Sequence, residues 1–162
     1  MKTIQCIVIG LLLISFTAQG QTENSVEVFH GRAELMESQK ILDLSYQNLE
    51  KVPIQALNPE IETLILDNNN IKELPSWMGD LKNLKVLSIR NNSLVELNYV
   101  IKNCENLEQL YLSGNRNLSD ISNISTGQKL EIVDVVDTQI NKLPSWVQMM
   151  DNLFYFKFTR KE

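Results

Sequence analysis

Histidine and cysteine are nearly missing from this chain: His30 is the single histidine, and of the two cysteines Cys6 falls in an apolar leader, leaving Cys104 alone beyond it. A lone cysteine forms no internal disulfide. Metal ligation needs several His, Cys or carboxylate groups to converge, and neither a Cys pair nor a His pair is present, so no metal and no cofactor is expected. No Ser, Thr or Cys has a base placed to activate it, which argues against an enzyme. The six glycines include no run that could cradle a phosphate. Basic residues number 15 against 20 acidic ones, for a formal net charge of −5. An acidic surface disfavours nucleic acid and anionic membrane as partners. The longest apolar stretch, residues 7–16, is too short for a membrane span.

That stretch follows Lys2 and is followed by the small-residue exit Ala18-Gln19-Gly20, a pattern expected of a secretory signal peptide over residues 1–20. A secreted or periplasmic location follows. Residues 21–39 read as a polar lead and a cap, in which Ala33, Leu35 and Met36 suit a short helix. Residues 40–162 hold a repeat.

One leucine, or its equivalent, opens each unit: Leu42, Leu64, Leu87, Leu110, Val133 and Phe156, spaced by 22 residues and then by 23 throughout. A period in this range is the mark of a solenoid. Two residues after each marker stands Leu44, Leu66, Ile89, Leu112, Val135 or Phe158, so each marker region alternates with period two and reads as a short strand with both large residues inward. Five residues after each marker comes Gln47, Asn69, Asn92, Asn115 or Thr138. A polar side chain inside an apolar frame costs a few kcal/mol, about 2–3, unless its hydrogen bonds are met, and stacked residues at one height could meet them on the backbone of neighbouring turns. Pro53, Pro75 and Pro144 then turn the chain away from the strand, with Asn98 in that place in the third unit. In the fourth unit Leu118 comes one place late, so a residue must bulge near Arg116, and the arm 122–127 lacks the tryptophan found at Trp77 and Trp146. That arm is expected to be the loosest.

The block L-x-x-L-x-L-x-x-N-x-L-x-x-L-P, plainest at Ile61–Pro75, resembles the leucine-rich repeat family over residues 40–162. The resemblance implies an α/β solenoid of five repeats plus a terminal strand. Its six short parallel strands would line the concave face, with irregular, 3-10 or short helical arms on the convex side and a short N-terminal capping helix. The cap and the lack of a disulfide pair look like those of short secreted bacterial members. In this frame Cys104 takes a buried position, and Trp77 and Trp146 pack between convex arms. Strand carboxylates find cations at the same height, Asp67 beside Arg90, Asp134 beside Lys157 and Asp137 beside Arg160.

The frame also exposes a surface. Between the inward pair stand Asp43, Ile65, Ser88, Tyr111, Asp134 and Lys157, and one place before the markers stand Ile41, Thr63, Val86, Gln109, Ile132 and Tyr155. Six strands about 4.8 Å apart give a strip on the order of 24 Å wide, enough for a peptide or a small protein interface. Ile65, Val86, Tyr111, Ile132 and Tyr155 form an apolar and aromatic band there, with Arg90 and Asp134 beside it. These seven residues are the expected contacts of a non-catalytic module that binds a protein or peptide. The alternative is a glycan or cell-wall fragment, stacked on Tyr111 and Tyr155 and bonded by Asp43, Asp67 and Asn68. A structural role in a surface assembly, through self-association of the Phe154–Phe158 edge, is of another class. Asn91, Asn117 and Asn123 open N-x-S triplets, which matter only in a eukaryotic secretory pathway.

Overall fold

A short strand opens every turn of the repeat, and the computed structural model describes residues 8–9, 12–13, 40–124 and 129–159. The chain divides into two units, Met1–Glu37 and Ser38–Glu162. In the first, β1 (Val8–Ile9) pairs antiparallel with β2 (Leu12–Leu13), Val8 opposite Leu13. The capping helix expected around Ala33–Met36 lies outside the described residues.

The second unit is the solenoid. Its six strands are β3 (Ile41–Asp43), β4 (Thr63–Ile65), β5 (Val86–Ser88), β6 (Gln109–Tyr111), β7 (Ile132–Val135) and β8 (Tyr155–Phe158). They form one parallel sheet in chain order. The register is the one the markers define: Leu42, Leu64, Leu87, Leu110, Val133 and Phe156 stand in one row across it. Leu64, Leu66, Leu87, Ile89, Leu110 and Leu112 are completely buried. Each such leucine or isoleucine contributes about 2 kcal/mol of apolar burial, so the sheet is held mainly by its inward rows.

Three convex arms are 3-10 turns, Ile54–Ala56, Ser76–Asp80 and Ser145–Met149. Each follows a proline, Pro53, Pro75 or Pro144, with φ near the ring's fixed value and extended ψ. Where Asn98 replaces the proline, the arm instead forms one α-helical turn, α1 (Val100–Asn103). Cys104 caps that turn, fully buried, and its Sγ donates to Met78 O at 3.5 Å. Trp146 is buried and meets Phe156 edge-on at 5.8 Å, while Trp77 is half-buried against the core. Trp146 thus packs onto the last strand as part of the core, and Trp77 lies at the core's margin. In the fourth arm, whose stretch 122–127 was expected to be the loosest, Ile121 and Ile124 are buried, and residues 125–128 are outside the described residues.

Between strand and arm runs the polar ladder. Asn69 Oδ1 accepts from Gln47 N and Leu49 N, both at 3.0 Å, and its Nδ2 donates to Leu44 O and Leu66 O at 2.9 Å. Asn92 repeats this one turn on, taking Ile71 N–H at 2.9 Å and donating to Leu66 O at 2.9 Å. Asn115 takes Leu94 N–H at 3.0 Å and donates to Ile89 O and Leu112 O at 2.8 Å. Each asparagine thus ties its own turn to the one before it. Gln47 is half-exposed, and its side chain stands at the open start of the ladder.

One column was not anticipated. The residue four places after each marker, Tyr46, Asn68, Asn91, Gly114 or Asp137, has a positive φ of 52° to 80°. Here the backbone leaves the strand through a left-handed turn, which Asn, Asp and Gly tolerate and a bulky side chain resists.

Candidate functional site

The concave face is built from the two outward rows, and the register places them as the alternation requires. Ile41, Thr63, Val86, Gln109, Ile132 and Tyr155 share one row; Asp43, Ile65, Ser88, Tyr111, Asp134 and Lys157 share the other. The expected apolar band is staggered across both. Ile65 and Tyr111 lie in the second row with Ser88 between them, and Val86 lies in the first. Ile132 and Tyr155 stand directly opposite each other. Most of these side chains are half-buried by their neighbours, and Tyr155 is 44% exposed.

The centre of the face corrects one expectation. Arg90 does not pair with the Asp67 carboxylate; its guanidinium lies over the Tyr111 ring, 4.2 Å from the ring centre. Asp67 Oδ1 is taken by Ser88 Oγ at 2.6 Å and by the Arg90 backbone N–H at 2.8 Å. A planar cation stacks readily on a tyrosine face, and the carboxylate already has two donors, so the stack wins over the ion pair. Tyr111 Oη donates to Gln109 Oε1 at 2.9 Å, which fixes the ring from its other end. Ser88, buried between the two strands, is the support that sequence reading missed.

The second expected pair also takes another form. Asp134 and Lys157 are opposite each other in register, yet Asp134 Oδ1 accepts the Val136 N–H at 3.2 Å. Asp137 N–H donates to Thr159 Oγ1 at 3.0 Å, and Arg160 lies outside the described residues. Both ion pairs between described residues fall elsewhere, at the entrance to the strands: Glu62 meets Lys40 at 2.7 Å and Lys85 at 2.8 Å. Bonded first by Lys40 and then by Lys85, its carboxyl is pulled down to about 2.

For chemistry, the described residues offer little. No group of three or more His, Cys, Asp or Glu among them is arranged to hold a metal ion. Burial pushes the Cys104 thiol up to about 11, so the thiolate needed of a nucleophile does not form near neutral pH. On the convex side a notch of about 250 Å³ opens between the fourth and fifth arms, bordered by Asp120, Gln139, Lys142 and Trp146. The three triplet asparagines differ in access. Asn123 is half-buried with its Nδ2 held by Leu97 O, whereas Asn91, whose Nδ2 donates to Asn68 Oδ1 at 3.0 Å, and Asn117, on the bulge beside Arg116, are both exposed.

Comparisons with known proteins bear on the repeat. The family model described as leucine rich repeat matches residues 59–116. Human leucine-rich repeat-containing protein 7 is 37% identical over 82 residues, which cover 49% of this chain and 5% of that protein. Bovine fibromodulin is 31% identical over 148 residues, covering 77% of this chain and 38% of its own. A solved leucine-rich repeat protein of Leptospira interrogans aligns with 70% of this chain and 41% of its own at 23% identity and a TM-score of 0.45. The chain therefore spans well under half the length of these curated relatives. With six in-register strands, an asparagine ladder through consecutive turns and a family match over β4 to β6, this chain is a leucine-rich repeat protein.

Proposed function

We propose that this chain is a non-catalytic recognition module, exported from the cell interior, that holds a protein or peptide on the concave face of β4 to β8. The observation that carries this is the Arg90–Tyr111 stack at 4.2 Å in the middle of the sheet. Arg and Tyr are the side chains that most often dominate interfaces, and these two are already ordered before any partner arrives. Ile65, Val86, Ile132 and Tyr155 supply apolar area around them, and Asp134 a charge at the rim.

A peptide suits this face better than a sugar. Arg90 occupies one face of the Tyr111 ring, the surface a stacked sugar would need, so of the two expected stacking platforms only Tyr155 is uncovered by a cation. Export rests on the leader at residues 1–20 and leads to a periplasmic or extracellular location; among the described residues, no helix is long and apolar enough to cross a membrane.

Panning a displayed peptide library on the chain tests the reading. Peptides enriched on the unaltered protein should bind Arg90→Ala and Tyr111→Ala about 30-fold more weakly, the effect of losing a contact worth about 2 kcal/mol. Melting of Arg90→Ala should be unchanged. Enriched peptides that bind both variants as well as the parent place recognition elsewhere.

A further inference from the structure

We infer that β8 is a self-pairing edge, on which two copies of this chain join antiparallel about a two-fold axis with Phe156 opposite Phe156. The argument begins with a column of backbone donors. Leu44, Leu66, Ile89 and Leu112 each send their N–H to the next strand, to Ile65 O, Ser88 O, Tyr111 O and Asp134 O, at 2.7 to 2.9 Å. Phe158 holds the same place in β8, and among the described residues no strand lies beyond it. The inner edge of β8 is served by the alternate residues, as where Tyr155 N–H donates to Glu131 O at 3.1 Å. The N–H and C=O groups of Phe156 and Phe158 therefore point outward along an open edge.

The side chains at this edge are unfinished as well. Phe156 and Phe158 face inward and lean on each other at 5.8 Å, yet both stay half-exposed, and Phe154 is 73% exposed. At the opposite end of the sheet the equivalent of Phe158 is Leu44, only 3% exposed. The apolar surface that needs covering is thus at the β8 end of each copy. That favours a closed two-fold contact over a head-to-tail series.

Register selects the axis. With Phe156 opposite Phe156, both copies use outward backbone groups as hydrogen-bonded pairs, Phe158 meets the exposed Phe154 of the other copy, and Tyr155 stands opposite Lys157. Tyrosine beneath an ammonium group is an attractive pair. Centring on Lys157 sets two like charges face to face, and centring on Tyr155 leaves Phe158 opposite Asn152. The chosen axis alone gives every residue of the strand a compatible partner. It also joins the two concave faces into one continuous sheet.

Sedimentation of the purified chain over a concentration series, beside Phe154→Lys, tests this. The parent should pass from monomer to dimer as concentration rises, and Phe154→Lys should weaken dimerisation at least tenfold with its melting unchanged, since that side chain is outside the core. Mixing Tyr155→Cys with Lys157→Cys should give the mixed disulfide in excess over either symmetric one. A monomer at every concentration, an open-ended series of oligomers, a dimer indifferent to Phe154→Lys, or a dominant 155–155 disulfide each overturns the proposal. Phe154 is not among the peptide-contacting residues proposed above, so peptide binding should survive Phe154→Lys, and the two readings fail separately.

Discussion

The middle turns of the solenoid and its last turn obey the same spacing but are fastened differently. In the middle, Asn69, Asn92 and Asn115 each bond across to the preceding turn. In the last, Thr138 Oγ1 donates to Val135 O at 2.7 Å and accepts Ile140 N–H at 3.1 Å, both within its own turn. A hydroxyl has a single hydrogen, so no donor is left to reach a carbonyl of the preceding turn. The cause lies one turn earlier. The extra residue near Arg116 shifts Leu118, whose N–H is satisfied by Asn115 O at 3.0 Å. The donor that the ladder takes from Leu49, Ile71 and Leu94 is thus already spent in the fourth turn, and an asparagine at 138 would find no such N–H. One insertion and one substitution answer each other, and the ladder stops where the chain changes pitch.

Removing a rung from each region gives the largest predicted difference. Asn115→Ala strands Leu94 N–H and Ile89 O in a fully buried place, which at 1–3 kcal/mol per unpaired group costs about 3 kcal/mol. Thr138→Val keeps the shape and strands Val135 O and Ile140 N–H within one turn, at a cost of about 2 kcal/mol, less than Asn115→Ala, which also gives up its bond to Leu112 O. Urea unfolding followed by circular dichroism measures both. Equal costs would mean that cross-turn bonding is not what distinguishes the two regions.

The left-handed column supplies an intermediate effect. Gly114 sits at φ 80°, and a Cβ there would overlap Asn91 Oδ1, which is held in place by the bond from Asn91 Nδ2 to Asn68. Gly114→Ala should cost about 1–2 kcal/mol, from the strained φ and the displaced asparagine. Thermal melting checks it. An unchanged melting temperature would show that the exposed asparagine row is free to swing aside and carries no stability.

Most of the solenoid was legible because its signals are periodic. A single marker residue every 23 positions carries strand placement, inward face and register together, and the six-strand alignment follows from it row by row. The ladder was legible for the same reason, as a polar residue recurring in an apolar frame. The site was legible only in outline. Parity assigned Tyr111 and Arg90 to the concave side, but charge alone pointed Arg90 at Asp67, and nothing in the sequence says that Ser88 Oγ and a backbone N–H reach that carboxylate first. The left-handed column had a signal that was passed over: Asn, Asn, Gly and Asp recur one place before the ladder. Tyr46, 79% exposed and at φ 59°, breaks that chemistry, so the first turn conceals the rule.

The smallest effect concerns the row at the strand entrances, where the two halves of the molecule again differ. Lys40, Glu62 and Lys85 alternate in sign and pair, whereas Glu108 and Glu131 follow at the same height as like charges. Glu62 titrates at about 2 in the folded chain against 4.5 for a free glutamate, so its contribution is fully present above about pH 4.5 and is lost as pH falls through about 2. Glu62→Gln should therefore lower stability slightly at neutral pH, where the pairs are present but screened by solvent, and flatten the loss between those two values. Glu131→Lys makes the complementary change, placing a cation beside Glu108, and should raise stability by about 0.5 kcal/mol at low salt, a gain that added salt removes. If acid unfolding of Glu62→Gln keeps the parent's slope, the alternating half of the row is ornament on the fold, and the contrast between the halves reduces to the ladder alone.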